Sequence, residues 1–283
     1  MTEAITPTAA DPFLAAVIQM SSGAEPEANL ARAEQLMDQA VSQGSGLLVL
    51  PEHFNALDDP SQPPYRERFE ASRTLGFLSD YAAAHGVWIV GGSLALAIPD
   101  SDKVTNTSFV IDHQGAIQAR YHKIHLFDVA LGPAVAKRDV SAFQESSSVA
   151  PGTTPVTANT PFGTIGLSVC YDLRFPELYR RLAAQGASLL TVPAAFTLNT
   201  GKDHWELLLR ARAVENFSYV LAAGQWGKHP GGRRTYGHSM IVEPWGTVIA
   251  RVPDGEGVAV AEIDPARIRR CRKRIPCLTH RVL

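Results

Sequence analysis

An α/β fold is predicted by three features of the chain. Strand-like apolar runs alternate with segments of helical periodicity along most of its length. Turn residues follow those runs at once, so strand ends and helix starts lie close together. No Pro/Gly-rich linker separates independent halves, which favours a single domain over residues 12–283.

Phe13 to Met20 reads as a buried strand. Glu27 to Val41 follows, with Leu30, Leu36, Met37, Ala40 and Val41 on one helical face before Gly44. Leu47 to Leu50 is a short apolar strand running into Pro51-Glu52. A Pro-rich loop, Asp58 to Tyr65, precedes a helix expected over Phe69 to Ala84, closed by His85-Gly86. Val87 to Ala97 is the next expected strand. Thr107 to Ile111 and Ala116 to Tyr121 flank Asp112-His113-Gln114-Gly115, a hairpin signal. Ile124 to Thr160 reads as a long irregular connection, of the kind that carries function or a lid. The rhythm then resumes with a strand to Cys170, a helix over Pro176 to Gln185 and a strand over Ser188 to Phe196. A helix over Lys202 to Asn216 and a strand over Tyr219 to Trp226 follow. The close is β-rich: Ser239 to Glu243, Thr247 to Val252 and Val258 to Ile263, then a basic helix from Pro265.

Composition narrows the function classes. Hydrophobic residues make up 45% and charged residues 19%, an ordinary globular balance. The formal net charge of −2 gives no general electrostatic pull toward nucleic acid. No apolar stretch approaches a membrane span, so no membrane partner is expected. Cys170, Cys271 and Cys277 are too scattered for a disulfide framework and suit a reducing, cytoplasmic setting. Residues 1–11, small and polar without a basic segment, read as a disordered leader and not a signal peptide.

The candidate chemistry centres on Cys170, at the end of an apolar run and just before a helix. A strand-end cysteine is either an inert buried hydrophobe or a nucleophile, and the second reading requires partners. Glu52 and Lys123 also follow strands, and strand ends of an α/β sheet can converge on one crevice. A carboxylate can take a thiol proton, while an ammonium favours the thiolate and an oxyanion. Spacing alone leaves both readings open, since solvated surface is the ordinary fate of such charges. His204-Trp205-Glu206 has no further ligands at metal-binding spacing, so no metal is expected.

The segments Pro51-Glu52, His122-Lys123-Ile124-His125-Leu126-Phe127-Asp128 and Cys170-Tyr171-Asp172-Leu173-Arg174-Phe175-Pro176-Glu177 resemble the signature blocks of the nitrilase (carbon–nitrogen hydrolase) superfamily. Phe143-Gln144-Glu145-Ser146, Thr200-Gly201-Lys202-Asp203-His204-Trp205-Glu206 and Tyr236-Gly237-His238-Ser239-Met240 resemble its Nit branch, whose members are amidases. The similarity runs from about Phe13 to Arg281. It implies an αββα sandwich, two central mixed sheets covered by helices, and no cofactor. It also implies that Glu52 is the general base, Lys123 the oxyanion stabiliser, Cys170 the nucleophile and Glu145 a second glutamate orienting the lysine. A scaffold protein derived from such an enzyme would lack one of these residues, and all four are present.

The resemblance implies one of two substrates, deaminated glutathione or 2-oxoglutaramate. Each is an α-keto acid with an amide at the far end of its side chain. The sequences around Ala222 to His229 and Arg233 to Met240 lean toward the first. Tyr171, Arg174, Phe196 and Thr197 are expected to bind substrate, with Arg174 facing the keto-acid carboxylate unless it pairs with Asp172 or Glu177. Lys228, Arg233 and Arg234 offer charge for a second, glycine-derived carboxylate. The loop Val129 to Ala142, containing Lys137-Arg138-Asp139, looks longer than in common family members. The ending His280-Arg281-Val282-Leu283 differs from the family's usual tail, and at least a homodimer is expected.

Overall fold

The computed structural model describes residues 11–57, 65–130 and 142–282. The expected leader (save Asp11), most of the Pro-rich loop and the Lys137-Arg138-Asp139 stretch lie outside the described residues. Strands β1 (Phe13–Gln19), β2 (Leu47–Val49), β3 (Trp88–Val90), β4 (Leu94–Ala97), β5 (Val104–Ile111), β6 (Ile117–His122) and β17 (Gly257–Ile263) form one mixed sheet. Its order is β17-β1-β2-β3-β5-β4, with β6 also paired to β5. A second mixed sheet has the order β16-β15-β12-β11-β10-β9. Its strands are β9 (Thr157–Thr160), β10 (Gly163–Leu167), β11 (Leu189–Ala194), β12 (Tyr219–Gly224), β15 (Met240–Val242) and β16 (Val248–Arg251). Two ribbons complete the sheets among the described residues: β7 (Asp128–Ala130) with β8 (Ala142–Gln144), and β13 (Trp226–Lys228) with β14 (Arg234–Tyr236).

Side-chain alternation accounts for the layers. Ala15 and Val17 of β1, with Leu47 and Val49 of β2, face the second sheet and share a core with Leu167, Val192 and Val220. Ala16, Ile18 and Leu48 point the other way, against Leu30, Ala33, Leu36 and Met37 of helix α1 (Pro26–Ser42) and Leu75 and Leu78 of α2 (Arg73–His85). Both faces of these strands are buried, so they read as unbroken apolar runs. Helices α3 (Pro176–Ala184) and α4 (Leu198–Asn216) cover the second sheet through Leu178, Leu182, Trp205 and Leu209, and α5 (Pro265–Arg274) adds Ile268. The result is the αββα sandwich.

Several boundaries differ from expectation for identifiable reasons. Val87 to Ala97 is two strands, because Gly92 adopts φ 50° and a Cβ there would lie 2.1 Å from the Pro51 carbonyl oxygen. Phe69–Ala71 forms a separate 3-10 turn, since Ser72 leaves helical geometry to cap α2, its Oγ accepting from the Leu75 N–H at 3.0 Å. Helix α4 starts a turn before Lys202, and its Gly201 lies so close to Tyr236 that a Cβ would come 2.3 Å from that residue's Cβ. The strand beginning at Tyr219 ends at Gly224. The region 124–160, expected to be irregular, holds the β7–β8 ribbon, a 3-10 turn at Glu145–Ser147 and β9. No helix among the described residues is long and apolar enough to cross a membrane.

Candidate active site

Cys170 owes its setting to the way β10 ends. Beyond Leu167 the chain stays extended to Val169 and turns at Cys170 into a 3-10 helix, Cys170–Arg174. Cys170 has φ 50°, a conformation costing about 1–3 kcal/mol in a residue with a side chain. Asp172, fully buried, holds this elbow. It accepts from the Val169 N–H at 2.8 Å, the His125 N–H at 3.0 Å and the Tyr121 hydroxyl at 2.7 Å. The His125 ring bonds the same carboxylate at 2.7 Å and stacks on Phe175 with centroids 3.7 Å apart. Sequence reasoning gave Asp172, Tyr121 and His125 no such role.

Glu52 stands just beyond β2, on the opposite sheet, and is 2% exposed. One oxygen accepts from Lys123 Nζ at 3.0 Å and Asn106 Nδ2 at 2.9 Å. The other accepts from the Ala195 backbone N–H at 2.8 Å, reaching across to the second sheet. Burial pushes the Glu52 carboxyl up, but the Lys123 ammonium, aided by weaker neighbours, outweighs it and holds the pKa at about 2 against 4.5. Burial and the adjacent Glu52 carboxylate push the Cys170 thiol well above its ordinary value, although Lys123 opposes them. The resting site therefore holds a neutral thiol beside a carboxylate.

Lys123 follows β6 and is as buried as Glu52. Its Nζ lies 3.0 and 2.9 Å from the two oxygens of Glu145, in addition to Glu52. Burial disfavours its charge, but the Glu145 and Glu52 carboxylates prevail and keep the ammonium protonated far above neutral pH. Glu145 is fixed in turn by the Phe127 N–H at 2.7 Å. Asn106, on β5, was not foreseen. Its Nδ2 lies 2.9 Å from Glu52, 3.3 Å from His53 Nε2 and 3.4 Å from Glu145, while its buried Oδ1 has no partner among the described residues. It stands one position before the expected strand Thr107 to Ile111, inside the polar stretch Thr105 to Ser108, so nothing in the sequence set it apart. Burial lowers the His53 pKa against the pull of Glu52, which keeps that ring neutral.

These groups line a cavity of about 350 Å³. Glu52, Lys123, Glu145 and Cys170 meet there, with Tyr171, Phe196 and Thr197 on the walls. Arg174 is not among the lining residues. Its guanidinium lies over the Tyr171 and Phe196 rings, 5.9 and 5.3 Å from their centroids, and contacts His204 Nδ1 at 3.2 Å. Asp172 is committed to the elbow instead of Arg174. Arg233 does line the cavity, whereas Lys228 and Arg234 are exposed. His204 lies within α4, not at its start, and no metal-binding cluster of His, Cys, Asp or Glu occurs among the described residues.

Comparison with known proteins shows the family of the chain. The model of the family described as carbon-nitrogen hydrolase matches residues 14–273. The chain is 44% identical over 274 residues to a deaminated glutathione amidase of Synechocystis sp., covering 96% of this chain and 98% of that one. It is 38% identical over 288 residues to the Homo sapiens deaminated glutathione amidase, covering 98% and 85%. Among solved structures, Saccharomyces cerevisiae Nit3, a member of branch 10 of the nitrilase superfamily, superposes with a TM-score of 0.83. It shares 31% identity and the match covers 96% of this chain and 97% of that one.

Proposed function

The chain belongs to the carbon–nitrogen hydrolase family, and from that premise we propose that it is a cysteine-dependent amidase converting deaminated glutathione to 2-oxoglutarate and cysteinylglycine. The observation carrying this reading is the buried Glu52–Lys123–Glu145 cluster facing Cys170 in one cavity. The amidases it resembles over nearly its full length support the substrate.

In the proposed reaction, the thiol proton passes to the Glu52 carboxylate as Sγ bonds to the amide carbon. The carbonyl electron pair moves to oxygen, where Lys123 and the Tyr171 N–H stabilise it. The ammonium has three protons and three carboxylate contacts, so meeting the oxyanion means yielding one contact to Glu145. Collapse breaks the C–N bond while Glu52 returns its proton to the departing amine, leaving a thioester. Glu52 then takes a proton from water as its oxygen attacks. The second collapse releases the acid, and the proton returns to sulfur. Because the resting proton sits on Cys170, transfer to Glu52 is coupled to attack instead of preceding it. Tyr171, Phe196 and Thr197 form the walls along the substrate.

The reading extends to a cytoplasmic homo-oligomer. Three free cysteines suit a reducing compartment. Exposed Leu207, Val214, Trp245 and Ile249 supply apolar surface for a second chain. The decisive experiment measures kcat/KM for deaminated glutathione and 2-oxoglutaramate side by side. A preference of about tenfold for 2-oxoglutaramate would overturn the substrate assignment. With Cys170→Ala turnover should vanish while the circular dichroism spectrum persists, and substantial remaining hydrolysis would sink the nucleophile assignment.

A further inference from the structure

The cavity contains a cation that the proposed chemistry leaves unused. Lys123 is taken by Glu52 and Glu145, which give their ion pairs to it and not to Arg233. Arg233 lies between the Pro230–Gly232 turn and β14, in the rim of the β13–β14 ribbon. Its Nη2 donates to the Ala195 carbonyl at 3.1 Å, and its guanidinium lies 5.7 Å from the centroid of the Phe143 ring. Its Nε is buried and has no hydrogen-bond partner among the described residues. A buried donor without an acceptor is costly, and a ligand that brings an acceptor removes the cost.

We infer that Arg233 binds the carboxylate at the acyl end of the substrate, so that the cavity selects ω-amides of dicarboxylic acids over neutral amides. This deepens the amidase reading and rests on it. Ala195 sets the placement: its N–H donates to Glu52 Oε2 at 2.8 Å and its carbonyl accepts from Arg233. The guanidinium is thereby held one residue's backbone away from the base. In a five-carbon acid amide the carboxylate is four C–C bonds of about 1.5 Å from the scissile carbon, a span of roughly 5 Å. The carboxylate of the cysteinylglycine leaving group lies farther along the chain, which makes the acyl-end carboxylate the better match. A planar fork also suits a carboxylate better than a lysine would. The charge expected of Arg174 at this end of the substrate is supplied from the β13–β14 ribbon, while the glycine-derived carboxylate is left to other contacts.

The test reads a ratio, kcat/KM for 2-oxoglutaramate over that for pentanamide, in wild type, Arg233→Met and Arg233→Gln. Losing charge-assisted bonds to one carboxylate should lower the ratio by roughly 10- to 100-fold in both variants. A purely structural role at Ala195 would depress both substrates equally, and an unchanged ratio overturns the inference. Calorimetric binding of 2-oxoglutarate supplies a readout independent of turnover. Wild type should bind it and Arg233→Gln should bind it roughly 10- to 100-fold more weakly; equal binding overturns the inference. If wild type hydrolysed no amide, the amidase reading would fall, and the binding contrast would still decide the role of Arg233.

Discussion

Removing the Lys123 ammonium probes the buried charge cluster directly. Lys123→Met keeps most of the stem but leaves Glu52 and Glu145 facing each other in a site where Glu52 is 2% exposed. At 3.0 Å and an effective dielectric near 20, each ion pair is worth about 5 kcal/mol before desolvation is subtracted. Breaking a buried pair from one side typically leaves a net loss of about 3–5 kcal/mol, a large part of a domain's stability. The pH dependence has a definite sign. In wild type the folded pKa of Glu52, about 2, lies below its ordinary 4.5. Its contribution is therefore present above 4.5 and lost as pH falls toward 2. In Lys123→Met the burial penalty is unopposed by the ammonium, the folded pKa rises above 4.5, and protonation relieves the folded state in acid. The stability gap should thus be widest near neutral pH and narrow below 4.5. Urea unfolding followed by tryptophan fluorescence at pH 7 and pH 4 measures it, and adding Glu145→Gln should recover part of the loss. A gap under roughly 1 kcal/mol at neutral pH, the scale of an exposed pair, or one that widens in acid, would refute the reasoning.

Three other expectations follow from single features. Gly92→Ala places a Cβ 2.1 Å from the Pro51 carbonyl oxygen at φ 50° and should cost about 3 kcal/mol. Since Pro51 precedes Glu52, kcat should fall with Tm, and a variant normal in both would contradict this close approach. With the Glu52 carboxyl held at about 2, kcat/KM should show no acid limb from the base above roughly pH 4. An acid limb near pH 6 that persists in His53→Gln would show that Lys123 does not hold the carboxyl down. Light scattering at micromolar concentration should give at least a dimer mass, and a monomer mass would contradict the proposed assembly.

Much of the frame was legible because β1 and β2 are buried on both faces and β10 breaks sharply at a polar turn. The same punctuation made Glu52, Lys123 and Cys170 visible as residues just past strands. It could not show their convergence, which depends on two sheets stacking with the right strand ends together. Glu145 was reachable only through resemblance, because it follows a stretch without periodicity whose β7–β8 ribbon is too short to leave a pattern. Asn106 fell just outside the expected strand Thr107 to Ile111, and its value lies in contacts with residues far away in sequence. Arg174 shows that proximity along the chain does not fix which side chains line the cavity. Four positions after Cys170, the 3-10 turn has already carried it onto the outer side of Tyr171 and Phe196, whereas Arg233 returns to the cavity through a separate ribbon. The break at Gly91-Gly92 was visible as two adjacent glycines, but an apolar run on both sides masked it.

The geometry of the proposed active site is a property of sheet-to-sheet packing. Glu52 belongs to one sheet, and Cys170 and Ala195 to the other. The bond from the Ala195 N–H to the Glu52 carboxylate fixes that carboxylate relative to the second sheet. Gln225, just past β12, reinforces the junction by donating to the Glu52 carbonyl at 3.1 Å and to Ser22 Oγ at 2.8 Å, while the Trp226 N–H reaches the Met20 carbonyl at 2.7 Å. Gln19, fully buried, ties β1 to the other sheet, its Oε1 accepting from the Ser239 N–H at 2.7 Å. Buried polar groups of this kind are tolerated only when satisfied, so a slip between the sheets would strand several of them at once. That penalty keeps the sheets in register and holds a carboxylate with a pKa of about 2 against a thiol pushed well above its usual range. In the proposed reaction the two groups stay in contact without exchanging their proton until a substrate carbonyl accepts the sulfur.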